Sequence, residues 1–294
     1  MFAKIFTSIA LIFSLIFQNM AFRAIPRKKD IIMKAVLVAD IHADADFARD
    51  RTNLMREIFS AIGRTQNEAD VLVMAGDLTN SGDLREYINL YNCLNVYSRI
   101  SRRLPEFGNH DSWHHSDDPD FKKAERYFKA FCRWNGVFTK KLYYAKTVKN
   151  VPFIMLGVEA GDFDDPYHSD EQIEWFRAQL NAACETKKPV FVICHKPISH
   201  LGDSAAEIER ILLDAAEKAS APIIMVSGHR HALDEYTFAQ PKERLIYLNL
   251  PSMEYTDDGG LGFVAEVYEH ELILTGMNFF TDTPLEGHTY KFEY

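Results

Sequence analysis

Five short clusters of side chains that hold metal ions or move protons recur along this chain of 294 residues: Asp40-Ile41-His42, Gly76-Asp77, Gly108-Asn109-His110-Asp111, His195 and Gly228-His229-Arg230-His231. The donors Asp40, His42, Asp77, Asn109, His195, His229 and His231 amount to two aspartates, one asparagine and four histidines. Seven such donors are too many for one tetrahedral zinc. They suit two adjacent ions of mixed nitrogen and oxygen preference, such as Mn, Fe or Zn. Two ions held about 3.5–4 Å apart would share a carboxylate and a hydroxide placed for in-line attack on phosphorus. Asp40 and His42 are two positions apart, as are His229 and His231, a spacing that can point both side chains of a strand end at one centre. Any one of these histidines alone would read as a core or surface group, and the joint order is what changes the reading.

Each cluster closes an apolar run: residues 34–39, 71–75, 104–107, 189–194 and 223–227. Short runs without polar alternation read as strands buried on both faces, so the fold should bring all five clusters to one edge of the sheet. Between them, residues 46–63 carry Phe47, Leu54, Met55, Ile58, Phe59 and Ile62 at helical spacing, and residues 84–100, 121–134 and 205–219 are further helical stretches. Asp170 and Glu171 suit a helix N-terminus at 170–176. This alternation predicts an α/β fold with parallel strands and outer helices. Strands are also expected at 142–147 and 151–157. The runs 245–250, 262–268 and 272–277 read as antiparallel strands completing a second sheet. Residues 112–136 break the rhythm, either as a substrate rim or as a solvated helix with an aromatic core stripe. His114, His115, Asn80, Tyr255 and the turn at 257–260 are rim candidates, each with an ordinary turn or surface explanation.

A chain with 47% hydrophobic residues can bury a full core in one domain. Its net charge of −9 speaks against the basic footprint that tracks bulk nucleic acid, while a small nucleotide could still bind at metal ions. Cys93, Cys132, Cys184 and Cys194 show no C-x-x-C spacing, which argues against a zinc knuckle or disulfide framework and for a reducing compartment. Residues 1–32 form an apolar leader. After Lys4, residues 5–17 resemble a signal core or short anchor, but the small-residue sites at Ala21 and Ala24 are poor for cleavage. The basic cluster Arg23, Arg27, Lys28 and Lys29 follows the apolar run, which would leave the domain cytoplasmic. Alternatively Met33 is the true start. The expectation is a catalytic domain at 33–294 in the cytoplasm, with membrane anchoring or export only through residues 1–24.

The order D-x-H, G-D, G-N-H-D, H, G-H-x-H resembles the calcineurin-like metallophosphoesterase family over Asp40 to His231. The resemblance implies a four-layer αββα sandwich and a dinuclear phosphoester hydrolase. Asp40, His42, Asp77 and His231 would hold one metal, and Asp77, Asn109, His195 and His229 the other, with Asp77 as bridge. His110 would contact phosphate and act as general acid, and Asp111 would orient the loop or His110. The protein Ser/Thr phosphatase branch carries G-D-x-x-D-R-G and an arginine before G-N-H. Here Asn80, Ser81 and Phe107 occupy those places. The stretches Gly76 to Tyr87, Gln172 to Leu180 and His195-Lys196-Pro197 look more like the cyclic-nucleotide phosphodiesterase-like branch. The expected activity is therefore phosphodiester hydrolysis of a small phosphorylated substrate, with a phosphomonoesterase or nucleotide pyrophosphatase as the alternative. A non-catalytic metal-binding scaffold is the rival from another class, and it predicts gaps in the ligand series that this chain does not have.

Overall fold

The strands run in chain order as β1 (Met33–Val38), β2 (Val71–Ala75), β3 (Arg103–Glu106), β4 (Tyr144–Val148), β5 (Val151–Leu156), β6 (Ala160–Gly161) and β7 (Pro166–Tyr167). They continue as β8 (Val190–Cys194), β9 (Ile223–Ser227), β10 (Phe238–Ala239), β11 (Leu245–Asn249), β12 (Leu261–Val267), β13 (Glu271–Asn278) and β14 (Thr283–Glu293). Two six-stranded mixed sheets result, in the orders β14-β13-β12-β1-β2-β3 and β10-β11-β9-β8-β5-β4. The helices are α1 (Asp50–Thr65), α2 (Leu84–Cys93), α3 (Lys122–Trp134), α4 (Asp170–Cys184) and α5 (Ala205–Ala216). The computed structural model describes residues 30–46, 50–115, 122–161, 166–231, 238–239, 244–254 and 259–294, and Ile31–Tyr294 form one compact unit.

The unbroken apolar runs are explained by burial on both faces. In β8, Phe191 and Ile193 share a core with β1, β2 and β12, while Val190, Val192 and Cys194 pack with α4 and α5 residues such as Phe176 and Ile211. β9 divides the same way, Ile224 and Val226 inward and Ile223 and Met225 outward, because successive side chains of a strand face opposite sides. On the first sheet, Met55, Ile58, Phe59 and Ile62 of α1 and Phe128 and Phe131 of α3 join the core. This is the αββα sandwich.

Two expectations change. β12 joins the first sheet antiparallel to β1 and β13 joins it antiparallel to β12, while β11 enters the second sheet parallel to β9. The five clusters consequently sit along the common edge of two facing sheets rather than on one sheet, three after β1, β2 and β3 and two after β8 and β9. The helix expected over 84–100 runs as α2 to Cys93 and then as a π-helical turn, Leu94–Ser98, ended by Arg99 at φ 55°. Within residues 112–136, the aromatic stripe is core: Phe128 packs edge-on against Phe107 with ring centroids 5.1 Å apart, and Phe131 lies 5.2 Å from Tyr87. Of the apolar leader expected at 1–32, residues 1–29 lie outside the described residues. Among the described residues no helix is long and apolar enough to cross a membrane.

β3, which delivers the Gly108 loop, is pinned at its first residue. The buried Arg103 guanidinium donates to the Ile100 and Leu94 carbonyls at 3.0 and 2.9 Å and to the side chains of Asn95 and Asn135 at 2.7 and 3.2 Å. It thereby collects the start of the π-helical turn, Ile100 beyond it and the end of α3 around one planar fork. A lysine offers a single point charge and cannot reach these acceptors together. Arg103→Lys should cost about 2–4 kcal/mol, since buried acceptors lose partners, and lower the melting temperature by about 5–10 °C. Thermal unfolding of the variant within a degree of the parent would refute the clamp.

Candidate metal centre

The interlock of the two sheets begins in the loops. Beyond β1 and β2 the parallel pairing continues: Asp40 N–H donates to Gly76 O at 3.1 Å and His42 N–H to Asp77 O at 2.9 Å. On the second sheet, Gly228 N–H donates to His195 O at 2.9 Å. His195 Nδ1 lies 2.9 Å from Ala75 O, tying the second sheet to the first and directing Nε2 at Asp77. The backbone is unusual at these points. Asp40, His42, Asp77, His229 and His231 all have left-handed φ, at 54°, 46°, 47°, 69° and 58°. Non-glycine residues avoid this region, and its recurrence at five donors marks a site whose geometry is imposed by the surrounding fold.

The donor atoms fall into two groups. Asp40, His42, Asp77 and His231 form one, and Asp77, His195 and His229 the other, with the ligand atoms of each group within 4.8 Å of one another. Asp77 belongs to both. His231 Nε2 lies 3.0 Å from Asp40 Oδ1 and 3.4 Å from His42 Nε2, and His195 Nε2 lies 3.0 Å from Asp77 Oδ2. Glycines keep the approach open: a Cβ on Gly108 would meet Asp77 N at 2.1 Å, and one on Gly228 would meet Asp40 Oδ2 at 2.5 Å. Asn109 follows Gly108, and His110 N–H donates to Asp77 Oδ1 at 2.8 Å. Both polar atoms of the Asn109 side chain are buried with no hydrogen-bond partner. A buried amide without partners calls for an acceptor or cation to satisfy it, so the donor set fits a pair of metal ions.

Charges in the cluster act strongly on one another. Burial disfavours the His195 imidazolium, yet Asp77 and Asp40 outweigh it and hold the ring up to about 10. Asp77, also opposed by burial, is held below the usual carboxylate range by His195. Burial pushes His42 and His229 down to about 3. His231 is likewise opposed by burial but raised by Asp40.

His110 stands at the mouth, its ring edge-on to His42 with centroids 4.5 Å apart, and its Nδ1 lies 2.9 Å from Asn80 O. Asp111 does not touch that ring. Fully buried, its carboxylate accepts from Leu78 N–H at 3.2 Å, Thr79 N–H at 3.1 Å, Thr79 Oγ1 at 2.6 Å, Tyr87 Oη at 3.0 Å and Gly108 N–H at 2.9 Å. These contacts tie the Gly76 and Gly108 loops together. Burial and Asp77 push its carboxyl up to about 7 while these donors favour the charged form. All five contacts use oxygen as acceptor, as only an ionised carboxylate permits in full.

The rim candidates separate. Asn80 joins the site through its carbonyl. His114 and His115 lie in the 3-10 turn His110–His115, and their side chains, like Tyr255 and residues 257–258, lie outside the described residues. His200 packs edge-on against His229 with centroids 5.4 Å apart. The Gln172 to Leu180 stretch is on α4, where Gln172 bonds both Gly157 N–H and Gly157 O, at 3.1 and 2.8 Å, and so supports the loop after β5. Sequence reasoning missed Glu106. Glu106 ends β3 with 1% exposure and both carboxyl oxygens unpartnered, and burial, aided by the Asp111 and Asp77 carboxylates and opposed by His195, raises it well above the ordinary range. A lone acid closing an apolar run was the available signal.

The model of one protein family, calcineurin-like phosphoesterase, matches residues 33–233. No curated protein sequence matches the chain. Among solved structures, a dimetal phosphatase from Danio rerio superposes with TM-score 0.63 at 13% identity, covering 90% of this chain and 100% of the other. Purple acid phosphatase PPD1 from yellow lupin seeds gives 0.63 at 10% identity, covering 90% of this chain and 54% of that one. GAP50, the anchor in the inner membrane complex of Plasmodium, gives 0.56 at 14% identity, covering 89% and 88%. These identities establish the fold alone.

Glu106 yields a test by pH. A carboxyl whose folded value is raised adds stability below the ordinary glutamate range and loses it as pH climbs toward the folded value. In metal-free protein, Glu106→Gln should match the parent near about pH 5 and exceed it by about 1–3 kcal/mol near about pH 8. Chemical denaturation curves whose difference is independent of pH would show that Glu106 does not carry this burden.

Proposed function

The chain belongs to the calcineurin-like phosphoesterase family and is a metal-dependent phosphohydrolase, and from that premise we propose that it hydrolyses phosphodiesters at the centre built on Asp77. The observation that carries the diester reading is the state of two positions beside His110. Ser81 Oγ donates to Glu86 at 2.7 Å, and Phe107 is fully buried against Phe128. These loops therefore bring no arginine to the reacting phosphorus, and a diester, with one negative charge, demands less compensation than a monoester dianion. The likeness of the Gly76 to Tyr87 and His195-Lys196-Pro197 stretches to the cyclic-nucleotide phosphodiesterase-like branch supports the same choice.

In this reading Asp40, His42, Asp77 and His231 hold one ion and Asp77, Asn109, His195 and His229 the other, and the mixed donors suit Mn, Fe or Zn. The bound ions would supply Lewis acidity and a nucleophile drawn from water. The protein's own groups do the rest. Asp77, fixed by His110 N–H, sets the spacing of the two donor groups. His195 and Asn109 hold the second group from opposite sheets. His110, its Nδ1 engaged by Asn80 O, presents Nε2 to the leaving oxygen and gives it a proton. Asp111 keeps the two loops in register and is a positioning residue. The catalytic unit is taken as residues 33–294, and the cytoplasm as its compartment from the basic cluster after the apolar run. The substrate is small and phosphorylated, with nucleotides in the first set to assay.

Metal-stripped protein given Mn²⁺ should regain hydrolysis, faster on bis(p-nitrophenyl) phosphate than on p-nitrophenyl phosphate. Much faster turnover of the monoester would sink the diester reading, and no turnover despite metal uptake would favour a scaffold. Asn109→Ala should lose metal and activity together. His110→Ala should keep its metal while kcat falls about 10²–10⁴-fold, and full activity in that variant would remove His110 from the chemistry.

A further inference from the structure

The group that engages His110 Nδ1 is a main-chain carbonyl, Asn80 O at 2.9 Å. A carbonyl only accepts, so the engaged Nδ1 carries hydrogen. It is also one end of a planar, trans peptide unit whose other end is the N–H of the next residue, and the two point in opposite directions. That N–H belongs to Ser81 and donates to Glu86 Oε2 at 3.0 Å. The imidazole and the carboxylate therefore hold opposite ends of one rigid group.

Glu86 is the third residue of α2 and is 3% exposed. It also accepts from Ser81 Oγ at 2.7 Å and from Asp83 N–H at 3.1 Å. Capping α2 requires only the Asp83 contact. The two bonds to Ser81 go beyond it. The rest of the turn is fixed as tightly: Leu78 and Thr79 N–H donate to Asp111 at 3.2 and 3.1 Å, Asn80 N–H to Ala43 O at 3.1 Å and Gly82 N–H to Thr79 Oγ1 at 3.0 Å. Each N–H from Leu78 to Asp83 thus has a named acceptor, and the Asn80 carbonyl cannot rotate away from His110 without breaking one. An anion at the N–H end of a peptide also polarises its carbonyl, which becomes the better acceptor.

We propose that Glu86 is a positioning residue for the reaction, aiming and polarising the Asn80 carbonyl through the Asn80–Ser81 peptide so that His110 meets the leaving oxygen by Nε2. This rests on the reading that His110 gives that oxygen a proton. The second motif of this chain carries no aspartate or arginine at 80 and 81. The support for His110 comes instead from a carboxylate on the following helix, delivered through the main chain.

The test uses the full chain loaded with Mn²⁺, with bis(p-nitrophenyl) phosphate and diphenyl phosphate as substrates. Phenolate is a stronger base than p-nitrophenolate, so its departure leans more on a proton donor. Glu86→Gln keeps one acceptor oxygen and loses the charge. It should lower kcat on diphenyl phosphate about 3- to 10-fold and on bis(p-nitrophenyl) phosphate by less than about twofold, with KM and metal content near the parent. Glu86→Ala, which releases the Ser81 N–H, should widen the diphenyl phosphate loss to about 10- to 100-fold. Neither change should lower kcat further in a His110→Ala background, because residues that act as one unit are not additive. A carboxylate that merely braces α2 and the turn predicts equal factors on both substrates and losses that survive in His110→Ala. Either result would overturn the assignment, as would parent kcat in Glu86→Gln, which decides alone if Glu86→Ala does not fold. A parent protein that takes up metal and hydrolyses neither diester would instead overturn the functional reading beneath it.

Discussion

A carboxylate buried at the seam of two sheets is the constraint from which the rest of the structure follows. Asp77 is 1% exposed, its backbone is left-handed, and its two oxygens face partners from different loops: His110 N–H on one and the His195 ring on the other. An isolated charge so placed would cost several kcal/mol. The chain surrounds it with four imidazoles and leaves an unsatisfied amide at Asn109. The arrangement makes little sense as a device for stability alone, since a hydrophobic packing of the same volume would do better.

The backbone carries a second cost. A left-handed conformation in a non-glycine residue costs about 1–2 kcal/mol, and five donors adopt it. What holds them is the strand that enters each loop. β1, β2, β8 and β9 bury side chains on both faces, and each fully buried Val, Leu, Ile or Phe contributes about 1.5–3 kcal/mol. A strand thus anchored cannot slide to relax its last residue, because a one-residue slip would turn every side chain to the opposite face. Rigidity is delivered to the donors as position. The clearance at Gly108 and Gly228 belongs to the same scheme, since a methyl group at either would push a carboxylate out of place.

This explains what could be read from the chain and what could not. The donors were legible because the runs that lead into them are buried on both faces and show as nearly unbroken apolar sequence, interrupted by Glu106 at 104–107, and because glycine stands directly in front of Asp77, Asn109 and His229. The destination of β12 and β13 was not: alternation marks a half-buried strand but does not name its sheet, and both sheets offered an edge. The π-helical turn after α2 was read as helix because its side chains keep nearly the same spacing. The role of Asp111 was open between two partners until the fold placed Thr79 and Tyr87 around it. Glu86 was hidden because a charged residue on an amphipathic helix, or next to a turn, ordinarily means a solvated surface. Only the folded turn, which aims three donors at it, gives it another meaning.

Glu106 and Asp111 lie under the same centre and are treated in opposite ways. Asp111 meets five donors and Glu106 meets none, so the first is built to be an anion and the second resists becoming one. Together with Asp40 and Asp77 they place four acids beneath one small region, in a chain already net negative at −9. The field they make is visible at His195, whose ring is held up to about 10 against the effect of burial, with Asp77, Asp40 and Glu106 all acting in that direction. A proton on that ring and a metal ion at its Nε2 compete for the same lone pair, so cation binding must expel protons. The same negative interior that stabilises the imidazolium attracts a divalent ion more strongly, in proportion to its charge. An anion at Asp111 would therefore help to retain a cation it does not touch, whereas the unpartnered carboxyl of Glu106 joins that field only as pH climbs toward its raised value.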